Sequence, residues 1–385
     1  ATLTYTSGTT GKPKGAMHSH RGILVVVHGQ NVTQPQDERD ERMCFLPLCH
    51  VAERVVGLYA SIYTGTRMNF VENPDTVPEN VREIAPTVFG GVPRLWEKFY
   101  SAVTIAVKEA GPVQQAMYAW ALSVGDAVAE RVLADQPVSL WLRLRYRVAS
   151  LAALDHVRRF IGIHRCRFLV TGAAPIAPDL IRWYLALGIP MLEAWGQTEA
   201  CGISTSMPPG RMRLGTVGTA CAYNEVRVAS DTGELLVRGP NVFMGYLKQP
   251  QKTAETIDAE GWLHTGDVGA VDAQGYFRIT DRMKDIIITA GGKNITPSEW
   301  ENELKFSPYV TDAVVIGDRR AYLTAIVMIE QENVEKYAQD RDMPFSNYAS
   351  LTRAPEIRAL IQSEIDKVNK KFARVEQIKN FFLLD

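Results

Sequence analysis

The sequence predicts an α/β protein in two parts. A large N-terminal part combines α/β layers with a small β-rich unit, and a smaller α+β part begins at about Asp285. Three observations carry this. Short apolar runs bounded by turn residues give way to helical spacing and back again through the first part. Residues 215 to 281 are dense in Gly, Asp and β-formers. After "DRMKD" (Asp281–Asp285) a fresh set of strand and helix patterns begins.

Taken in order, "RMNFV" (Arg67–Val71) and "PTVFGGV" (Pro86–Val92) read as strands. From Pro93 to Ile161 helices dominate, with Met117, Trp120, Ala121, Val124 and Val128 at helical spacing. "RCRFLVTGAAPI" (Arg165–Ile176) reads as a buried strand running into a glycine turn, and "GIPMLEAWGQTEA" (Gly188–Ala200) repeats that form. "EVRVASDTGELLVRG" reads as a hairpin about its Asp-Thr-Gly turn. In the last part, "TPSEWENELK" predicts a capped helix with Thr296 as N-cap, Pro297 in the first turn and Glu299 three residues on. "VTDAVVIGD" and "LTAIVMIE" predict strands. "APEIRALIQSEIDKVNKKF" predicts an amphipathic helix with Ile357, Leu360, Ile361, Ile365 and Val368 on one face.

Composition narrows the function classes. The 385 residues leave room for two or three domains, and 46% hydrophobic with 22% charged content is that of a globular enzyme. Lys+Arg 42 against Asp+Glu 43 argues against a general nucleic-acid binder. The cysteines, Cys44, Cys49, Cys166, Cys201 and Cys221, form no C-x-x-C pair and read as free, buried thiols of a reducing compartment. No apolar run is long enough to cross a bilayer, so the expected location is cytoplasmic, with peripheral membrane contact as an alternative. Between Trp141 and Arg167 seven arginines face one acid, Asp155. The plain reading is a solvated helical face; the sharper one is contact with anionic lipid headgroups or a phosphorylated cofactor.

The chemistry starts at "TYTSGTTGKPKG" (Thr4–Gly15). Glycines let backbone N–H groups converge, the hydroxyls of Thr6, Ser7, Thr9 and Thr10 add donors, and Lys14 adds charge, which together suit phosphate. The segment is not a Walker A loop. Gly8-Thr9-Thr10-Gly11-Lys12-Pro13 is too closely spaced, and Pro13 stands where a metal-binding hydroxyl belongs. Taken alone, His18, His20 and His264 read as structural, and the H-x-H of the first pair has no third ligand in view.

The whole string T-S-G-T-T-G-x-P-K-G resembles the signature of the AMP-forming acyl-adenylate enzymes. The resemblance continues in order through "LPLCHVAER" (Leu46–Arg54), "TGAAP" (Thr171–Pro175), "EAWGQTE" (Glu193–Glu199), "GWLHTGD" (Gly261–Asp267) and "DRMKDIIITAGGKNITPSEWE" (Asp281–Glu301). "PTVFGGVPRLWEKFY", "HVAER" and "KDIIITAGGKNITP" are similar to the long-chain fatty acyl-CoA synthetases, including the bubblegum-type branch.

The resemblance implies a set of roles. Thr6, Ser7, Gly8, Thr9, Thr10, Gly11 and Lys14 hold the phosphates of ATP. Gly172, Ala173, Ala174 and Pro175, with Glu193, Trp195 and Gly196, form the adenine side. Trp195 stands where many family members carry Tyr and keeps a flat face for stacking, while Glu193 accepts from the adenine amino group. Thr198 bonds the α-phosphate, Glu199 gives a carboxylate to Mg2+, and His50 lies beside the acyl site. Asp267 and Arg282 hold the ribose. Lys284 is the pivot of a mobile C-terminal domain, and Gly291, Gly292 and Lys293 enter beside coenzyme A in a second conformation.

The implied layout is a partial AMP-binding domain over 1–281, a hinge at 282–284 and a partial C-terminal domain over 285–385. The family's first subdomain and its terminal lysine segment have no counterpart in this sequence, so the chain is expected to be impaired in adenylation. The implied function is that of a long-chain fatty acid–CoA ligase with a fatty acid substrate, ATP, Mg2+ and coenzyme A, and no nucleic acid. Other readings are a medium-chain or aryl acid ligase, or a non-catalytic nucleotide- or acyl-CoA-binding remnant. Oligomeric state is left open.

Overall fold

The computed structural model describes residues 1–6, 13–283, 285–290 and 293–385. The chain is mixed α/β and divides into two compact units. One comprises 1–93, 106–174 and 181–279, the other 94–105, 175–180 and 280–385.

A five-stranded sheet organises the first unit. Val88–Gly91, Phe168–Gly172 and Met191–Trp195 run parallel, and Thr205–Ser206 and Thr219–Ala220 extend the sheet antiparallel. Leu169, Met191 and Leu192 are fully buried, as expected of parallel strands covered on both faces. Helix Pro178–Ala186 connects two of the parallel strands, so the glycine turn after Gly172 and the segment after Trp195 leave the sheet at the same end. Ligands of open α/β sheets bind at that carboxyl edge. A four-stranded sheet forms the β-rich part, ordered Glu225–Val228, Glu234–Arg238, Leu263–Val271 and Phe277–Arg282. Its first two strands form the hairpin expected about the Asp-Thr-Gly turn.

Thr2–Thr6 and Lys14–His18 pair antiparallel, with Thr6 opposite Lys14. Tight backbone bonds carry this ribbon onward: Met17 N–H to the Gly245 carbonyl at 3.0 Å, and Leu247 N–H to the Gly15 carbonyl at 2.8 Å. The loop expected to hold phosphate is therefore stemmed by two paired strands, with the segment around Tyr246 alongside the second.

Helix Pro112–Leu133 lies where the helical spacing placed it, but its buried stripe differs. Ala121, Val124, Gly125 and Ala129 are buried, whereas Met117 and Trp120 are 37% and 38% exposed. Small residues set the contact: a Cβ on Gly125 would sit 2.3 Å from the Ala186 carbonyl oxygen. Close approach of backbones, rather than bulk apolar periodicity, selects the buried face.

In the second unit, Val310–Ile316 pairs antiparallel with Leu323–Ile329, which pairs parallel with Ile378–Leu383. Helices Pro297–Lys305 and Pro355–Asn369 bury Trp300, Leu304, Ile357, Ile361, Ile365 and Val368 against this sheet in one core. Leu360 is only half-buried. Thr296 and Pro297 stand at the helix start as expected, but the Thr296 side chain makes no capping bond; the Glu299 N–H instead reaches the Thr296 carbonyl at 3.1 Å.

The cysteines are free. Cys44, Cys201 and Cys221 are buried, and burial pushes the Cys44 and Cys221 thiols up to about 11 and Cys201 to about 12, so they are inert at neutral pH. Cys166 is partly buried and Cys49 is exposed, contrary to the expectation that all five are buried.

Candidate active site

Glu199 sits in a single helical turn, Thr198–Ala200, that follows strand Met191–Trp195. The turn is fixed from both sides. Cys201 N–H bonds the Thr198 carbonyl at 2.9 Å, and Phe243 N–H bonds the Glu199 carbonyl at 2.8 Å. Gly196 permits this return: a Cβ there would stand 1.9 Å from the Gly202 carbonyl oxygen.

The Glu199 side chain is held too. The Tyr246 hydroxyl donates to Glu199 Oε1 at 2.6 Å, and Lys14 Nζ lies 4.2 Å from the centre of the Tyr246 ring. Burial and the bond to Glu199 push the Tyr246 phenol well above its usual range, so it remains a donor at all working pH values. Lys14, Tyr246 and Glu199 form a short row from the stem of the N-terminal loop to the turn after the central strand. Tyr246 is absent from the expected site residues; only the Gly-Tyr step in "NVFMGYLKQP" marks it.

Beside this row, Glu193 and Trp195 share one face of their strand, two residues apart. The Trp195 indole N–H donates to Asp267 Oδ2 at 2.8 Å in a buried bond. The residue that departs from the Tyr common in the family thus links the expected adenine and ribose residues directly. The Glu193 carboxyl is buried, and desolvation raises it to about 8, leaving it neutral at pH 7 and able both to donate and to accept. On the neighbouring strand, Thr171 stands opposite Glu193, and its buried hydroxyl has no hydrogen-bond partner among the described residues. Ala173 follows Gly172 with φ 68°, a left-handed conformation that turns the chain sharply away from the strand end, and Ala173 and Ala174 are exposed there.

His50 is exposed, and its Nδ1 accepts from Ala52 N–H at 3.2 Å. Its segment is anchored by the next residue: Val51 packs with Cys201, Val55, Ile23, Val26 and Val27 in a buried cluster. Thr6 ends its strand opposite Lys14. His18 is buried and burial lowers it to about 4, so it is a neutral core residue, as expected. His264 bonds Glu234 at 2.9 Å.

Ser7, Gly8, Thr9, Thr10, Gly11, Lys284, Gly291 and Gly292 lie outside the described residues. Pro175, Arg282 and Lys293 belong to the second unit. There Arg282 ends strand Phe277–Arg282, and Lys293 pairs with Glu376, whose carboxyl that bond holds below its usual range.

A lysine on a loop stem, a clamped carboxylate and a buried Glu–Trp–Asp set thus gather at the carboxyl edge of a parallel sheet, where open α/β proteins bind their ligands. Residues 1–247 match the AMP-binding enzyme family, and residues 284–384 match the AMP-binding enzyme C-terminal domain. The chain belongs to the AMP-binding enzyme family. It is 39% identical over 385 residues to the Mycobacterium tuberculosis protein named fatty-acid–CoA ligase fadD11, covering 100% of this chain and 67% of that one. It is 35% identical over 342 residues to the long-chain-fatty-acid–CoA ligase ACSBG2 of Xenopus laevis, covering 86% of this chain and 46% of that one. The ATP-bound crystal structure of an RpMatB–BxBclM chimera superposes with a TM-score of 0.66 at 26% identity, covering 100% of this chain and 64% of that one. The chain therefore spans between about half and two thirds of the length of these relatives.

Proposed function

We propose that the protein acts as an ATP-dependent long-chain fatty acid–CoA ligase. The single observation that carries this is Glu199, fixed by Tyr246 beside Lys14 and next to the Glu193–Trp195–Asp267 set. The names of the mycobacterial and Xenopus relatives support a fatty acid as substrate, and the ATP-bound chimera supports ATP.

The reaction runs in two steps. A fatty carboxylate oxygen attacks the α-phosphorus of ATP, and pyrophosphate leaves with the electron pair of the broken P–O bond. The thiolate of coenzyme A then attacks the acyl carbon, and AMP leaves. Lys14 and the N-terminal loop hold the phosphates, and Thr198 donates to the α-phosphate. Asp267 holds the ribose hydroxyls, and Trp195 offers its face to adenine while its N–H keeps Asp267 in place; the motif resemblance alone assigns Arg282 to the ribose. The neutral Glu193 pairs with the adenine edge, and His50 faces the acyl group. The motif resemblance alone assigns Lys284, Gly291, Gly292 and Lys293 to the second step, the one that uses coenzyme A.

Magnesium fits the donors present. Glu199 Oε1 takes the Tyr246 bond, and Oε2 takes no hydrogen bond among the described residues. No cluster of three or more His, Cys, Asp or Glu that could hold a metal occurs among the described residues. One carboxylate with substrate phosphates and water is the usual provision for Mg2+. When bound, Mg2+ neutralises phosphate charge as pyrophosphate departs.

Pyrophosphate release across a panel of short, medium, long and aromatic acids tests the reading. Long-chain acids should give the highest kcat/KM, and Glu199→Gln should lower it by about a hundredfold or more. A preference for aryl or medium-chain acids would move the protein to another branch of adenylate-forming ligases.

A further inference from the structure

Helix Leu140–Ala149 turns an apolar strip to solvent. Leu140, Leu144 and Val148 follow at four-residue steps and are 82%, 62% and 51% exposed, and Leu151 continues the line at 67%. Trp141 lies beside it, 64% exposed. The opposite face holds the helix to its unit: Ala149 and Ser150 are buried, and the Tyr146 hydroxyl donates to the Ala186 carbonyl at 3.3 Å. A surface helix ordinarily buries its apolar stripe; this one exposes it.

The basic run in this region is trimmed by the fold. Arg158 pairs with Asp155, Arg165 with Glu41 and Arg167 with Asp40. Arg143, Arg147 and Arg159 make no ion pair among the described residues, and the Arg145 guanidinium stacks over Trp141 at 4.4 Å. Arg143 and Arg147, on the helix itself, thus flank the strip with no ion pair among the described residues, and the one acid of the run, Asp155, is already engaged.

We propose that this face docks on an anionic lipid bilayer, with the apolar strip entering among the headgroups and the flanking arginines meeting lipid phosphates. Charge and shape select this occupant. A bilayer offers a phosphate plane above hydrocarbon, matching both features at once. A second copy would set arginines against arginines across a two-fold axis. No helix among the described residues is long and apolar enough to cross a membrane, so the ten-residue helix lies in the interface plane. The proposal does not rest on the ligase reading. With few anchoring side chains the binding is reversible and salt-sensitive.

Sedimentation of the full chain with phosphatidylcholine vesicles, with and without phosphatidylglycerol, tests it. Two paired variants, Leu144→Ser with Val148→Ser and Arg143→Gln with Arg147→Gln, change exposed side chains only, and circular dichroism verifies their fold. Binding should require phosphatidylglycerol, and each pair should weaken it by more than about tenfold. Raising salt from about 0.1 M to about 0.5 M should release the protein. Absent sedimentation, or binding unaffected by both pairs, overturns the proposal. So does loss of a dimer in the apolar pair with vesicle binding unchanged, which would assign the face to a second copy.

Discussion

Tyr246 is the side chain on which the Glu199 geometry depends, and its effect separates cleanly from packing. Phe at 246 keeps the ring beneath Lys14 and removes only the hydroxyl. A hydrogen bond to a charged group is worth about 1.5–3 kcal/mol, so Tyr246→Phe should weaken binding of Mg2+·ATP by about tenfold or more, read by calorimetry at several Mg2+ concentrations. An unchanged Mg2+ dependence would show that Glu199 needs no clamp. Glu193 makes a pH prediction. Its folded value, about 8, lies above the usual 4.5, so its contribution to stability is full below about 4.5 and is lost as pH rises through about 8. Glu193→Gln cannot ionise and should flatten the fall in melting temperature between pH 5 and 9. Equal slopes in the two proteins would show that the Glu193 carboxyl titrates normally. The sequence named Glu193, Trp195, Glu199 and Asp267 because local motifs carry them. Tyr246 escaped because its bond spans 47 residues, and the Trp195–Asp267 bond spans 72. Neither pairing leaves a local pattern.

Among elements, those whose burial follows large apolar side chains were readable and those set by backbone proximity were not. Helix Pro355–Asn369 was legible through Ile357, Ile361, Ile365 and Val368, all buried. Helix Pro112–Leu133 was legible as a helix, but its inner face is Ala, Val and Gly, chosen for closeness. At the start of Pro297–Lys305 the residue types were right for a capping box, yet the Thr296 side chain makes no capping bond. The Pro355 helix yields a paired prediction. Ile361 is fully buried in the core of the second unit and Leu360 only half so. Ile361→Ala should destabilise by about 2–5 kcal/mol in denaturant unfolding, and Leu360→Ala by clearly less. Comparable losses would mean that the two positions share the core equally.

At the scale of the whole molecule, the order of motifs along the chain is what identified the family, and the fold gives that order its physical sense. Segments far apart in sequence, 14, 193–199, 246 and 267, are gathered by a parallel sheet and the ribbon beside it. The α/β class and the alternation of strands and helices were legible because parallel strands demand long apolar runs. The exposed apolar strip with its arginines was half legible: the arginines stood out in the sequence, but which of them are neutralised depends on Asp40 and Glu41, far away along the chain. The central claim is that this site makes an acyl-adenylate. The most direct measurement supplies the polypeptide that carries this sequence with ATP, Mg2+, a long-chain fatty acid and coenzyme A, and identifies the nucleotide product. The account predicts AMP and pyrophosphate, formed only when the acid is present, at the low rate that the expected impairment of adenylation allows, and lost in Glu199→Gln. ADP with inorganic phosphate, or AMP formed without any acid, would contradict it.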